Sequence, residues 1–366
     1  MLEKGRIDGR QASFLLVTLF FAGSLLFIPV FPVLHAGQDA WLSIILAAVG
    51  GLIMARLVVG LGLRFPGKTL FQYPEIILGK AAGKAVALLY LWWFFQNCAE
   101  NYRSFISFLA VSFMPETPLM VFVAFALIMA SYGAYYGLEV IARTNQLFLP
   151  FVIVSVVLLF FLSVPEMTVN NLLPVFEAGM IHLVKSTAAP LAWFGEVVTF
   201  AVFIPYLNRP GQAHRVALFG ILGTAAIYEM TVIGIIAIFS PALTAGYLFP
   251  VLNGARIIHL ANFLERMELV LVVIWTVAGV MRVTLLHWVL VLGSAQWLGL
   301  KDYRPMILPV AVILTALFML IHKGILEEYY FLAWVWPLYS LIIFEAGLPF
   351  LLLAVAAIRG VGGKSG

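Results

Sequence analysis

At 366 residues, with 63% of the types AVILMFWYC and only 10% charged, the chain is too apolar for a water-soluble protein. The formal net charge of +4 is spread over loops and forms no nucleic-acid signature. A single cysteine, Cys98, rules out an internal disulfide. No Cys/His spacing calls for a metal, and Gly60-Leu61-Gly62 lacks the third glycine of a phosphate-cradling loop.

The polar, basic residues 1–10 precede an apolar run, 11–34, that is too long for a signal-peptide core and reads as a retained first span. Further spans are expected at 40–63, 85–113, 118–136, 146–164, 189–207, 216–239, 268–298, 306–321 and 331–358. At this length and apolarity only helices satisfy the backbone across a bilayer. The fold class is therefore an all-α membrane protein of ten transmembrane helices in a single domain over 1–366. Fourteen loop Lys and Arg residues fall on one side and four on the other, which predicts an even number of crossings with both termini cytoplasmic. Residues 69–78, interrupted by Pro74, form a short amphipathic segment on the cytoplasmic side, and 165–188 make a long outer loop. Segment 246–267 is too polar to span; it is either an interfacial anchor or a lid over the outer mouth.

Spans one and six share an interruption. Ala22-Gly23-Ser24-Leu25 is followed by Pro29, and Phe194-Gly195-Glu196 by Pro205, each within a Phe-Ile-Pro run. Paired broken helices, five spans apart, point to a mid-membrane site in a five-plus-five inverted repeat, about 11–164 and 189–358. Unwound backbone offers N–H groups to a carboxylate and carbonyls to an ammonium, so an amino acid zwitterion matches both ends. The competing reading is close helix packing through glycine.

Charges inside spans are costly and mark function by default. Glu100 and Arg103, three apart on one helix, are expected to pair, with Asn97 and Asn101 extending the polar stripe. Glu196, beside the second break, either accepts a ligand ammonium or carries a proton; as a structural residue it would partner Arg282 or Arg103. Glu229 and Glu345 lie near mid-span and are expected to be protonated and hydrogen-bonded. Arg282 keeps its proton and requires an acid or carbonyls.

In its ordered set of short motifs the chain resembles the B subunits of spore germinant receptors, the GerAB-type spore permeases of the amino acid–polyamine–cation superfamily. The likeness runs through Ala22-Gly23-Ser24 and Pro29, Asp39-Ala40-Trp41, Arg64-Phe65-Pro66-Gly67-Lys68-Thr69, Leu78-Gly79-Lys80, Tyr90 through Arg103, Gly137-Leu138-Glu139, Leu173-Pro174-Val175, Phe194-Gly195-Glu196 and Glu265-Arg266 leading to Trp275. The resemblance implies interrupted helices 1 and 6 and a place in the lipid of a spore inner membrane. It also implies a small nutrient ligand such as an amino acid, and A-type and C-type receptor subunits as partners. It places the ligand around Ala22, Gly23, Ser24, Leu25, Asn97, Asn101, Phe194, Gly195, Glu196 and Thr276. Nothing in it calls for a cofactor or for nucleic acid. Nutrient sensing is thus the expected function, with proton- or sodium-coupled amino acid transport as the alternative. No nucleophile–base arrangement suggests an enzyme.

Overall fold

The computed structural model describes residues 2–258 and 266–363, which are helical apart from turns and one isolated bridge between Ile7 and Leu207. Seven helical stretches among them are long and apolar enough to cross a membrane. Helix α1 (Gly9–Ser24) opens on a capping box: Asp8 accepts from the Gln11 amide at 2.8 Å and the Gln11 side chain accepts from the Asp8 amide at 3.0 Å. It stops at Ser24, and the chain turns through 25–29 before α2 (Val30–Ala36) resumes behind Pro29. The amides of Phe27 and Ile28 both turn to the Ser24 carbonyl, at 2.8 and 2.7 Å. The carbonyls of Ala22 and Gly23 are therefore left without their usual amides four residues on.

Helix α3 (Ala40–Arg64) returns, and α4 (Tyr73–Leu78) lies against the start of α5 (Lys80–Ser112). That approach requires Gly83, whose position sits against the backbone of Glu75. Helices α6 (Leu119–Tyr136) and α7 (Leu138–Ser163) meet at Gly137, whose φ of 87° a side chain would strain. The loop beyond carries α8 (Gly179–Ser186) and is tied down by Asp39, which accepts from the amides of Phe176 and Ala178.

The sixth expected span is a composite of α9 (Ala188–Gly195), a 3₁₀ segment over 196–199, α10 (Phe200–Phe203) and a second 3₁₀ turn at 204–206. Its backbone never leaves the helical region: Gly195 has φ −63° and ψ −24°, and Glu196 φ −57° and ψ −5°. The expected unwinding there takes the milder form of a tightened helix, because i→i+3 bonds still satisfy most of the backbone. Helix α11 (Ala213–Gly246) breaks at Ser240, before Pro241. The short α12 (Pro250–Ile257) follows; the rest of the proposed lid or anchor, 259–265, lies outside the described residues. Helix α13 (Glu268–Leu298) matches the expected span, and α14 (Ile307–Leu320) nearly so. The last stretch consists of α15 (Ile325–Tyr330), α16 (Trp336–Tyr339) and α17 (Gly347–Ile358), joined by π-helical turns over 331–335 and 340–345.

Burial is arranged as lipid requires. Side chains such as Ile53, Phe125, Phe151, Leu308 and Ile342 face outward, whereas Glu100, Glu196, Arg282, His287 and Glu345 are inside. Residues 188–206 are buried almost throughout, so the composite span runs through the centre, against α3 and α16. Both chain ends lie on one face. Glu3 accepts from the Leu138 amide, Trp288 Nε1 and the Tyr303 hydroxyl, each at 3.2 Å, and at the other terminus Gly363 donates to the Arg64 carbonyl. The Thr69 hydroxyl donates to Gln296 Oε1 at 2.5 Å.

Candidate functional site

Along α5 the polar residues Trp93, Asn97, Glu100, Asn101, Ser104 and Ser107 recur every three or four positions, so they form one stripe. Each meets a partner from another helix or from the stripe itself. Trp93 Nε1 donates to Ser340 Oγ at 2.9 Å, and the Ser340 hydroxyl donates to Glu345 Oε1 at 2.7 Å. Asn101 Nδ2 donates to Asn97 Oδ1 at 2.9 Å, and Asn97 Nδ2 donates to Glu196 Oε1 at 3.1 Å. Ser104 and Ser107 donate to the two carboxyl oxygens of Glu328.

At the middle of this stripe stands an ion pair. Arg282 Nη2 of α13 lies 2.8 Å from both oxygens of Glu196. The two side chains are each 2% exposed. Gly23 makes room for the guanidinium; a Cβ there would overlap it. Gly195 likewise makes room for the Glu345 carboxyl. The two glycines at the interruptions of α1 and of the composite span therefore each seat an ionisable group, and packing room and site geometry become the same requirement.

A narrow cavity of about 10 Å³, room for about one water molecule, lies here, lined by Gly23, Asn97, Glu100, Asn101, Ser104, Glu196 and Arg282 on its polar side and by Trp193, Leu332 and Trp336 on its apolar side. An aromatic wall stands beside it: the Phe31 and Trp193 rings stack with centroids 5.8 Å apart, and Trp193 and Trp336 are 6.0 Å apart.

The remaining expected residues divide. Ser24 bonds its own helix at Phe20 and contacts the Tyr228 hydroxyl; Phe194 packs against Phe20 and Tyr228, behind the cavity. Ala22 is buried beside Gly23, and Leu25 lines a separate apolar cavity with Phe160, Gly234, Val251 and Leu271. Thr276, half-buried on α13, is not among the lining residues; on that helix Arg282 takes its place. Glu229 has neither carboxyl oxygen partnered among the described residues.

The expected pairing of Glu100 with Arg103 does not form. His322 Nε2 lies 2.9 and 3.0 Å from the two oxygens of Glu100, while the Arg103 guanidinium lies over the Phe318 ring, 5.2 Å from its centre. Intrahelical spacing of three permits a pair, but α14 and the turn beyond it offer both groups closer partners. His322, Glu328, Ser340 and Trp336 carried no signal that sequence alone could separate from interfacial or packing roles. Only their position opposite the α5 stripe identifies them.

A family model described as "Spore germination protein" matches residues 6–325. "Spore germination protein KB" of Bacillus subtilis (strain 168) is 26% identical over 359 residues, covering 97% of this chain and 95% of the relative. "Spore germination protein YndE" of the same organism is 23% identical, covering 85% and 87%. Among solved structures, Mhp1, a nucleobase-cation-symport-1 family transporter in a closed conformation with bromovinylhydantoin bound, aligns with TM-score 0.59 at 14% identity, over 91% of this chain and 78% of Mhp1. A Na⁺-coupled sialic acid symporter in a substrate-bound outward-open state aligns with TM-score 0.60 at 10% identity, over 96% and 78%. At such identities the likeness is one of fold.

Proposed function

The chain belongs to the spore germination protein family, and on that premise we propose that it is the nutrient-sensing B-type subunit of a spore germinant receptor. A small nutrient, an amino acid or similar solute, binds at mid-membrane between α1, α5, α9 and α13. The observation that carries this reading is the buried Arg282–Glu196 pair, set in a cavity against the interruption of α1. Paired charges at bilayer depth are costly to bury and are worth retaining where they face a ligand or pathway. Of the residues expected at the ligand, Gly23, Asn97, Asn101 and Glu196 are the ones that face this cavity, with Arg282 added.

Ligand entry then favours one arrangement of the bundle over another, in proportion to its differential affinity for the two. A-type and C-type receptor subunits read the change in the spore inner membrane. Ten crossings in a five-plus-five repeat fit this reading. The chain returns to the terminal face at Gly137 and Tyr303, both beside Glu3, and at Tyr206, whose carbonyl accepts from the Ile7 amide. The excess of Lys and Arg on that face supports cytoplasmic termini.

One observation favours a second reading, cation-coupled amino acid transport: the fold likeness to two symporters. Reconstitution separates the two. Sensing predicts saturable binding of labelled amino acids in liposomes with no accumulation inside. Accumulation that collapses with a protonophore or on sodium removal selects transport instead. Intact germination by spores carrying substitutions that block the cavity rejects the site altogether.

A further inference from the structure

We propose that the cleft between the starts of α1 and α11 binds an anionic phospholipid, its phosphate held by Arg10 and Arg215 and an acyl chain laid over Phe14 and Phe219. The proposal does not depend on what the mid-membrane cavity binds.

The backbone sets the two helix starts side by side. The Ile7 amide donates to the Tyr206 carbonyl at 3.0 Å and the Asn208 amide to the Ile7 carbonyl at 2.8 Å, just before α1 and α11 begin. Both helices therefore enter the bundle from the same face, and their first turns meet closely. Ser13 Oγ lies 3.2 Å from the Val216 carbonyl, and a Cβ at Gly9 would come within 2.9 Å of Gln212 Oε1. Ser13 and Val216, both buried, floor a cleft of about 560 Å³, a size that holds a small molecule. Arg10 and Phe14 line it from α1, Arg215 and Phe219 from α11.

The two helices repeat one motif. In each, an arginine is followed four residues later by a phenylalanine. Four residues advance about 6 Å and return to the same helix face, so each ring lies one turn deeper than its arginine. The Arg10 guanidinium stands over the Phe14 ring, 5.3 Å from its centre, and Arg215 over Phe219 at 5.4 Å. A guanidinium held by its face keeps its in-plane N–H donors for an anion, and phosphate oxygens match that fork. Among the described residues neither arginine is in an ion pair. The one carboxylate lining the cleft, Asp8, is turned to the Gln11 amide in the cap of α1.

The surroundings select a lipid over a soluble anion or an acidic peptide. Arg10 and Arg215 are exposed, Phe14 is half-buried, and Phe219 is 52% exposed, with Leu218 and Leu222 also turned outward on α11. The cleft thus opens at the periphery of the bundle, where acyl chains lie. Only a ligand charged at one end and hydrocarbon at the other uses both the arginines and the rings one turn deeper. A snorkelling arginine asks no more than the headgroup layer as a whole. Two of them around one cleft, each above an aromatic ring, define a place for one molecule.

The test uses the full chain in detergent, titrated with phosphatidylglycerol, cardiolipin and phosphatidylethanolamine. Binding is read by native mass spectrometry and by thermal stabilisation. Both anionic lipids are expected to bind about tenfold or more tightly than phosphatidylethanolamine. Arg10→Gln and Arg215→Gln should each weaken phosphatidylglycerol about fivefold, and the double variant about twenty-five-fold, the effect of one basic side chain each at a lipid surface. Lys80→Gln and Lys301→Gln, which remove exposed charges elsewhere, should leave it unchanged.

Equal affinity for phosphatidylethanolamine overturns the proposal. Equal losses from the lysine variants do so too, because they assign the effect to diffuse surface charge. Inorganic phosphate or glycerophosphoglycerol binding as tightly as the intact lipid makes the cleft a site for a soluble anion and likewise overturns it. If the double variant fails to fold, phosphatidylglycerol with a photoreactive acyl chain decides on the unaltered protein. Crosslinks within 8–16 and 212–220 support the site, and crosslinks confined to other residues reject it.

Discussion

Arg282 and Glu196 are 86 residues apart in sequence and meet at 2.8 Å, with Gly23 packed against the guanidinium. Three helical segments thus converge on one charge that cannot be neutralised. Loss of either partner strands the other in a medium where it has no water.

The stability of the pair follows from that convergence. Arg282→Gln and Glu196→Gln should each destabilise the purified protein by about 3–5 kcal/mol, the usual cost of orphaning a buried charge. The double variant should cost less than either single change. Denaturation of all four forms in one detergent is the measurement, and strictly additive losses would show that the two side chains do not act on each other.

Gly195 gives a steric prediction. A methyl group there falls on the Glu345 carboxyl, which is fully buried. Gly195→Ala should therefore abolish or strongly weaken the nutrient response in spores. Glu345→Asp, one methylene shorter, should restore part of it in the double variant. A normal response from Gly195→Ala alone counts against any functional role for this contact.

The choice of partner by Glu100 is open to a thermodynamic cycle. Glu100→Gln combined with His322→Gln should show a coupling of about 0.5–3 kcal/mol, the range for residues in one network. Glu100→Gln with Arg103→Gln should couple more weakly, since Arg103 lies over Phe318. The reverse ranking would return Arg103 to the place that His322 holds here.

Ser340 links Trp93 to Glu345 across α5 and the last span. Ser340→Ala leaves one donor and one acceptor without their partner and should cost about 1–3 kcal/mol. Ser340→Thr keeps the hydroxyl and should cost less, unless the extra methyl has no room. Equal losses from both substitutions would assign the effect to packing.

Much of the architecture is legible before any coordinates. Helix α13 coincides with the apolar run 268–298, and Pro29 and the Ala22-Gly23-Ser24 triplet mark the real interruption of the first span. The second interruption was legible in position and not in form: Gly195 and Glu196 keep helical dihedral angles and only tighten. The Glu100–Arg103 expectation failed for a related reason. Spacing along one helix says which residues share a face, but it carries nothing about what another helix brings to that face.

The sequence alone determined that this protein lives in lipid, where its first span is interrupted, and that Glu100, Glu196, Arg282 and Glu345 lie inside it. Each of those is a local property, written in runs of side chains and in the backbone preferences of glycine and proline. The tertiary structure decided which charge answers which: Arg282 to Glu196, Glu100 to His322, and each interruption glycine to an ionisable side chain of a distant helix. Such pairings depend on how helices rotate and pack against one another, and in a low-dielectric interior those contacts set the energies that matter.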